Sequence, residues 1–302
     1  MYDLIIIGGG PAGMTAAVYA ARKKINTLLL AREVGGQVIT TRWVENYMGY
    51  QYIEGTDLMD KFEEQIKQFP IDRKIGDEVV KVVRTDSFFR IQTRLGESYE
   101  SKAVIVATGK TSRKLDVPGE ARLIGRGVSY CAVCDGPLFA GEKVAVIGGG
   151  NSALEAIDDL LKIAESVYSV LEADYTGDAI LVERVTVSPK LTAFRRHKVK
   201  EIKGNEMVEQ ITIQDLDTGI LKTLPVKGIF VEIGLTPNSD LVKGLAKLNS
   251  IGEIEVNCNC ETSVPGLFAA GDVASIPEKQ IIIAAGDGAK AALQAHRYLQ
   301  RL

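Results

Sequence analysis

The chain has 302 residues, 46% hydrophobic and 25% charged, with no low-complexity tract. That is length for two domains of ordinary size and a composition typical of a globular protein. A net charge of -3 argues against a nucleic-acid surface.

In chain order, residues 3–7 form a short apolar run that reads as a buried parallel strand. The run Leu4 to Ile7 stops at glycines, too short to span a bilayer. With no basic flank or cleavage site it is not a signal peptide, so the protein reads as cytoplasmic, without a membrane contact. Gly8-Gly9-Gly10-Pro11-Ala12-Gly13 follows, then a helical pattern to about Lys23 and a strand from Asn26 to Ala31. This is a complete βαβ opening with a dinucleotide fingerprint. Gly8 serves the tight turn, Gly10 the approach of a pyrophosphate to the backbone, and Gly13 the packing of helix on strand. The helix N-terminus would then hold the phosphates. The acidic ribose ligand expected at the end of the second strand is displaced, because Ala31 ends the strand and Glu33 comes two later.

The pattern restarts at Lys143-Val144-Ala145-Val146-Ile147, followed by Gly148-Gly149-Gly150-Asn151-Ser152-Ala153, a helix from about Asn151 to Ile163 and a strand from about Val167 to Leu171. Here Gly148, Gly150 and Ala153 take the three small-residue positions. Near the end, Val264 to Phe268 reads as a strand running into Gly271-Asp272, and a helix of small residues covers about Ile283 to Leu299. Asp272, opening a turn after a buried strand, is placed to hold the ribityl hydroxyls of FAD. Two doubly wound α/β domains of Rossmann type are expected. The first, FAD-binding, is discontinuous over 1–111 and 244–302. The second, 112–243, is pyridine-nucleotide-binding, and turns near Thr108–Pro118 and Gly234–Asn238 mark the crossings.

Between the fingerprints lies Cys131-Ala132-Val133-Cys134-Asp135. In a cytosolic protein such a CxxC reads as redox or metal chemistry. The two histidines, His197 and His296, are far apart, so no zinc site is expected. A dithiol beside two nucleotide sites suggests electrons passing from a nicotinamide through a flavin to a disulfide. Cys258 and Cys260 alternate along an expected strand, Ile254 to Cys260, and read as plain strand residues facing one side.

Several stretches carry a family resemblance: Gly35-Gly36-Gln37-Val38, Glu45-Asn46-Tyr47, Ala107-Thr108-Gly109, Cys131 through Phe139, Gly148 through Ala153, Phe268 through Asp272, and Lys279-Gln280-Ile281-Ile282-Ile283-Ala284. The chain resembles the low-molecular-weight thioredoxin reductases, in particular the reductase portion of the alkyl hydroperoxide reductase flavoprotein subunit, here without its N-terminal thioredoxin-like domain. The resemblance implies that Gln37, Asn46, Asp272, Gln280 and Ile281 lie at the flavin. It implies Cys134 as the flavin-proximal thiol, Cys131 as the interchange thiol and Asp135 as the acid that protonates the leaving thiolate. It also implies a homodimer and a rotation between the domains.

NADPH-dependent members of the resembling family carry a His-Arg-Arg motif after the strand that follows the second fingerprint. Here that stretch reads Val170-Leu171-Glu172-Ala173-Asp174. Glu172 lies where a carboxylate hydrogen-bonds an unphosphorylated ribose and repels a 2′-phosphate. Arg195 and Arg196 come some twenty residues later and read as surface charge. NADH is therefore favoured, NADPH disfavoured, and reduced ferredoxin kept as an alternative donor. The expected activity is reduction of a thioredoxin- or glutaredoxin-like protein. The alternatives are the reductase component of a peroxiredoxin system, through a carrier, and a flavin redox sensor without turnover.

Overall fold

The computed structural model describes residues 1–40, 44 and 46–302, with the side chains of Thr40, Val133 and Cys134 outside that description. It divides into two compact units, Met1–Thr111 with Thr236–Leu302, and Ser112–Leu235.

In the first unit, β1 (Tyr2–Gly9) leads into α1 (Pro11–Arg22) and β2 (Thr27–Val34). Leu4 and Ile6 enter one buried cluster and Ile5 and Ile7 another. The strand is therefore apolar without interruption because both of its faces are covered. Pro11 at the first turn of α1 fits a helix start, where its missing N–H costs nothing. The chain continues through α2 (Gly55–Lys67), β3 (Asp72–Ile75), β4 (Val79–Arg84), β5 (Phe89–Thr93) and β6 (Ser98–Val106). The sheet runs β3-β2-β1-β6-β5-β4, parallel from β3 to β6 and antiparallel beyond. β7 (Lys110–Ser112) leaves the unit.

The second unit contains α3 (Glu120–Leu123), β8 (Val128–Ser129), α4 (Ala132–Asp135), β9 (Lys143–Ile147), α5 (Asn151–Ile163), β10 (Ser166–Leu171), α6 (Ala179–Thr186) and β11 (Leu191–Arg195). Then come β12 (His197–Lys203), β13 (Gln210–Asp215), β14 (Leu221–Pro225) and β15 (Gly228–Val231). A parallel sheet runs β11-β10-β9-β15-β8, and β12-β13-β14 form an antiparallel sheet. Val144 and Val146 pack towards α5, while Ala145 and Ile147 pack towards the antiparallel sheet. The chain returns through β16 (Leu235–Pro237), which pairs with β7, and ends in β17 (Leu267–Ala269) beside β6 and α7 (Ile281–Leu299).

Four features differ from the sequence reading. β2 runs to Val34 rather than Ala31, because a register shift brings Gly9 opposite Val34. α7 starts at Ile281, two residues early. Residues 236–243 lie with the first unit: Asn238 Nδ2 donates to Thr108 O at 2.9 Å, Thr108 Oγ1 donates to Asn238 O at 2.7 Å, and Leu241 and Val242 join a core cluster there. Finally, Ile254 to Cys260 is not a strand. Asn257 Oδ1 accepts from the N–H groups of Asn259 at 2.9 Å and Glu261 at 3.0 Å, folding a turn that leaves Cys260 at φ +61°. A side chain that captures backbone donors in this way competes with a strand ladder. Cys258 is exposed and Cys260 buried, so they do not share a face. No helix among the described residues is long and apolar enough to cross a membrane.

Candidate functional site

Each unit carries a glycine turn between its first strand and the following helix. Gly8 has φ +125°, and a Cβ there would lie 2.1 Å from Ala107 O. Gly148 has φ +135°, and a Cβ there would lie 2.0 Å from Glu232 O. Only glycine meets both demands, a left-handed φ and contact with the next strand's backbone. Gly10 and Gly150 cap α1 and α5 with the same dihedrals, φ −83° and ψ −175°, and neither helix has a side-chain cap. Beside both glycines a Cβ would meet nothing within 4 Å. Two uncapped helix starts thus face open space, and their orphan N–H groups and positive dipole ends suit a diphosphate. Gly13 packs α1 onto the turn, its missing Cβ falling 1.9 Å from Gly8 O. Ala153 holds the equivalent place in α5 and is fully buried.

Around the first turn the structure gathers most of the residues singled out from the sequence. Asp272 stands in a 3-10 turn (Gly271–Val273) directly after β17. Burial pushes its carboxyl above the ordinary value, against the pull of Lys279 and Lys110. Asn46 Nδ2 donates to Gln280 Oε1 at 3.0 Å, joining segments far apart in sequence. Gln280 caps α7, and Ile281 opens it, packed against the core. Gln37, in the 3-10 turn Gly36–Thr40, donates from Nε2 to Lys110 O at 2.7 Å. Glu45, part of one resembling stretch, lies outside the described residues. The extension of β2 puts Glu33 near the glycine turn, where it pairs with Arg32 at 2.7 Å.

The dithiol belongs to the second unit. Cys131 is disulfide-bonded; the side chain of Cys134 lies outside the described residues. Ser129 brackets Cys131: its Oγ accepts from the Cys131 N–H at 3.0 Å and donates to the Cys131 carbonyl at 3.2 Å. Asp135 closes α4, its N–H donating to Cys131 O at 3.2 Å. Glu232, just after β15, was not anticipated. Its carboxylate accepts from the Ser152 hydroxyl of the second turn and from the Ala132 N–H, the peptide following Cys131. Burial outweighs both bonds and pushes this carboxyl up to about 7.

At the second turn, Glu172 is exposed directly after β10, beside the end of β9. The loop after it folds back, the N–H of Thr176 donating to Gly149 O at 2.8 Å. Arg195, read from the sequence as surface charge, is half exposed on the neighbouring strand, in register with Leu171. It pairs with Asp174 at 2.8 Å and its guanidinium lies 5.5 Å from the Tyr175 ring centre. Arg196 instead pairs with Asp217 on the surface at 2.5 Å. Among the described residues, no group of three or more His, Cys, Asp or Glu side chains could hold a metal.

Glu232, Lys110, Lys279 and the Arg195–Asp174 pair reach their places through sheet order and long-range pairing. Only the strand ending at Val231 gave a local signal, since carboxyl ends of parallel strands are where ligands bind.

Comparison with known proteins agrees with this arrangement. The family model described as pyridine nucleotide-disulphide oxidoreductase matches residues 2–292. An alkyl hydroperoxide reductase subunit of Staphylococcus epidermidis is 42% identical over 302 residues, 99% of this chain and 59% of that protein. A Bacillus subtilis protein named NADH dehydrogenase is 43% identical, with the same coverage, 99% and 59%. The chain thus spans about three fifths of the length of these curated relatives. The crystal structure of Lactococcus lactis thioredoxin reductase matches with a TM-score of 0.89 and 36% identity over 100% of both chains. The expected α/β architecture of two Rossmann-like domains is the one observed.

Proposed function

The chain belongs to the pyridine nucleotide-disulphide oxidoreductase family, and from that premise we propose that it is an FAD-dependent reductase of protein disulfides that draws on NADH. The observation that carries this reading is the pair of matching glycine turns accompanied by a disulfide-bonded cysteine with an acid one helical turn on.

The first site fits FAD. Gly8, Gly10 and Gly13 leave room for a diphosphate on the uncapped start of α1, and Asp272, Gln37, Asn46, Gln280 and Ile281 form the remaining wall. Glu33 stands where a carboxylate can meet the adenosine ribose. When bound there, FAD would supply hydride acceptance from a nicotinamide and two-electron delivery to a disulfide. Gly148, Gly150 and Ala153 would seat the nicotinamide nucleotide on α5, with Glu172 accepting from its ribose hydroxyls and opposing a 2′-phosphate.

The dithiol's work is thiol–disulfide exchange. The Cys131 thiolate attacks one sulfur of a partner disulfide and the other partner sulfur leaves as a thiolate. Asp135 gives that thiolate a proton. Cys134 then attacks the Cys131 sulfur and the second partner sulfur leaves, taking up the proton that Cys134 gives up, so that Cys131 and Cys134 end oxidised and the partner leaves as a dithiol. A thioredoxin- or glutaredoxin-like protein is the proposed partner, in the cytoplasm, with the reductase acting as a homodimer. A second reading, supply of electrons to a peroxiredoxin through a carrier protein, is favoured by the relatives named alkyl hydroperoxide reductase.

The test is anaerobic titration of the FAD-loaded protein with NADH, with NADPH and with reduced ferredoxin, following flavin bleaching. Bleaching by NADH at far lower concentration than NADPH is expected. Bleaching by reduced ferredoxin alone would overturn the donor assignment. Turnover of peroxide with NADH, a carrier and a peroxiredoxin, but none with thioredoxin, would select the second reading.

A further inference from the structure

The wall of the first site contains three charged side chains to which the proposed chemistry gives no role. Lys110 Nζ lies 3.0 Å from Glu253 Oε1, and Lys279 Nζ lies 2.8 Å from the same oxygen. Glu253 Oε2 accepts from Asn249 Nδ2 at 2.8 Å. The side chains of Lys110, Glu253 and Lys279 are only 12%, 9% and 22% exposed. Two partly buried ammonium groups therefore share one buried carboxylate. Drawing charged groups partly out of water is costly, so their retention here calls for a reason beyond packing.

The cluster also touches the segments that form the site. Lys279 Nζ donates to the carbonyls of Asp272 at 3.2 Å and Ala274 at 2.6 Å, fixing the turn that presents Asp272. The Lys110 carbonyl receives the Gln37 side chain, and Lys279 precedes Gln280, which holds Asn46. Both lysines act electrostatically on Asp272, as do Glu253 and Asp287.

Resting on the assignment of this site to a flavin, we propose that Glu253 is a positioning residue that holds Lys110 and Lys279 beside Asp272 in the site wall, and that the charge carried by these three side chains sets the redox potential of the flavin. A buried positive charge favours the more negative redox state of a nearby cofactor, and its effect carries far where water is excluded. The sign then depends on a simple count. Asp272 and Asp287 are common to every variant, so the count is of the three side chains alone, natively two positive charges and one negative. Glu253→Gln keeps the shape and removes the negative charge, so the flavin becomes easier to reduce. Lys110→Met removes one positive charge, so it becomes harder to reduce. The double variant restores the native excess of one.

The experiment measures the flavin potential of the FAD-loaded protein and the three variants by equilibration with a reference dye, alongside FAD affinity. Glu253→Gln should shift the redox equilibrium at least tenfold towards reduction, about 30 mV for a two-electron couple. Lys110→Met should shift it by a similar factor the other way, and the double variant should return to within about threefold of the parent. Loss of packing alone would move all three in one direction, and that result, or no movement with FAD still bound, overturns the inference. If Glu253→Gln does not fold, Lys110→Met still decides, since a raised or unchanged potential contradicts the count. Failure of the parent protein to bind FAD would instead remove the flavin assignment beneath it.

Discussion

The two glycine turns have the same backbone and very different surroundings. Around the first, α1 is held from both sides: a Cβ at Gly288 of α7 would lie 2.0 Å from Ala12 O, and one at Gly271 would lie 3.0 Å from Ala12 Cβ. Two partly buried lysines and the buried Glu253 lie beside Asp272. The second has an alanine where the first requires glycine, and its rim is open, with Arg195 and Asp174 side chains 49% and 74% exposed. One motif has been enclosed by later chain segments and the other left accessible. Under the proposed function that difference separates a cofactor that stays bound from a nucleotide that must arrive and leave in every cycle.

The sharpest way to break this comparison is to exchange the third small residue. Gly13→Ala drives a methyl into Gly8 O, a backbone atom with no room to yield. It should cost about 4 kcal/mol or more and abolish FAD retention. Ala153→Gly in the second turn should cost only about 1 kcal/mol, the helix penalty of glycine. Urea unfolding and bound-flavin content give both numbers, and equal losses would mean that the two turns are packed alike.

Next in size is Glu232. Because its carboxyl titrates near 7 in the folded protein and near 4.5 when exposed, the folded state keeps the proton longer. Stability from this group therefore falls as pH rises from about 4.5 to about 7, and the loss persists above that. Glu232→Gln should remove the fall, a gain of up to about 3 kcal/mol at pH 8 relative to pH 5. An unchanged pH profile of the unfolding midpoint would show that the carboxyl is not desolvated as described.

Under the proposed function, Glu172→Ala should raise the KM for NADH about tenfold, the loss of one charge-assisted hydrogen bond, with flavin content untouched. A fall in flavin content would mean that the two sites are not independent. Smallest of all, Arg195→Ala should change stability by less than about 1 kcal/mol, since it breaks an exposed ion pair.

Much of this was legible in the sequence. Both βαβ units announce themselves, since a strand buried on both faces must be apolar throughout and a turn touching the next strand must be glycine. α5 was bounded correctly at Asn151 and Ile163. The failures have a common cause. Whether Asn257 pairs in a ladder or captures its neighbours' N–H groups depends on what the rest of the fold offers that segment. Arg195 meets Asp174 because β11 lies beside β10, and Lys110 meets Glu253 across 143 residues. No local period encodes such meetings, so the electrostatic part of each site was hidden while its glycine backbone was plain.

The clamp of α7 on α1 has a consequence for synthesis. The central unit is one continuous stretch and holds all its own strands once Leu235 is made. The first unit cannot close until Ile281–Leu299 has been added, because Gly288 is part of the packing beneath Ala12. Chains fold as they emerge, and contacts between distant segments form late. The inserted unit is thus complete while the one around it still lacks the helix that packs on α1, and under the proposed function a half-made chain carries its CxxC segment before it can keep a flavin.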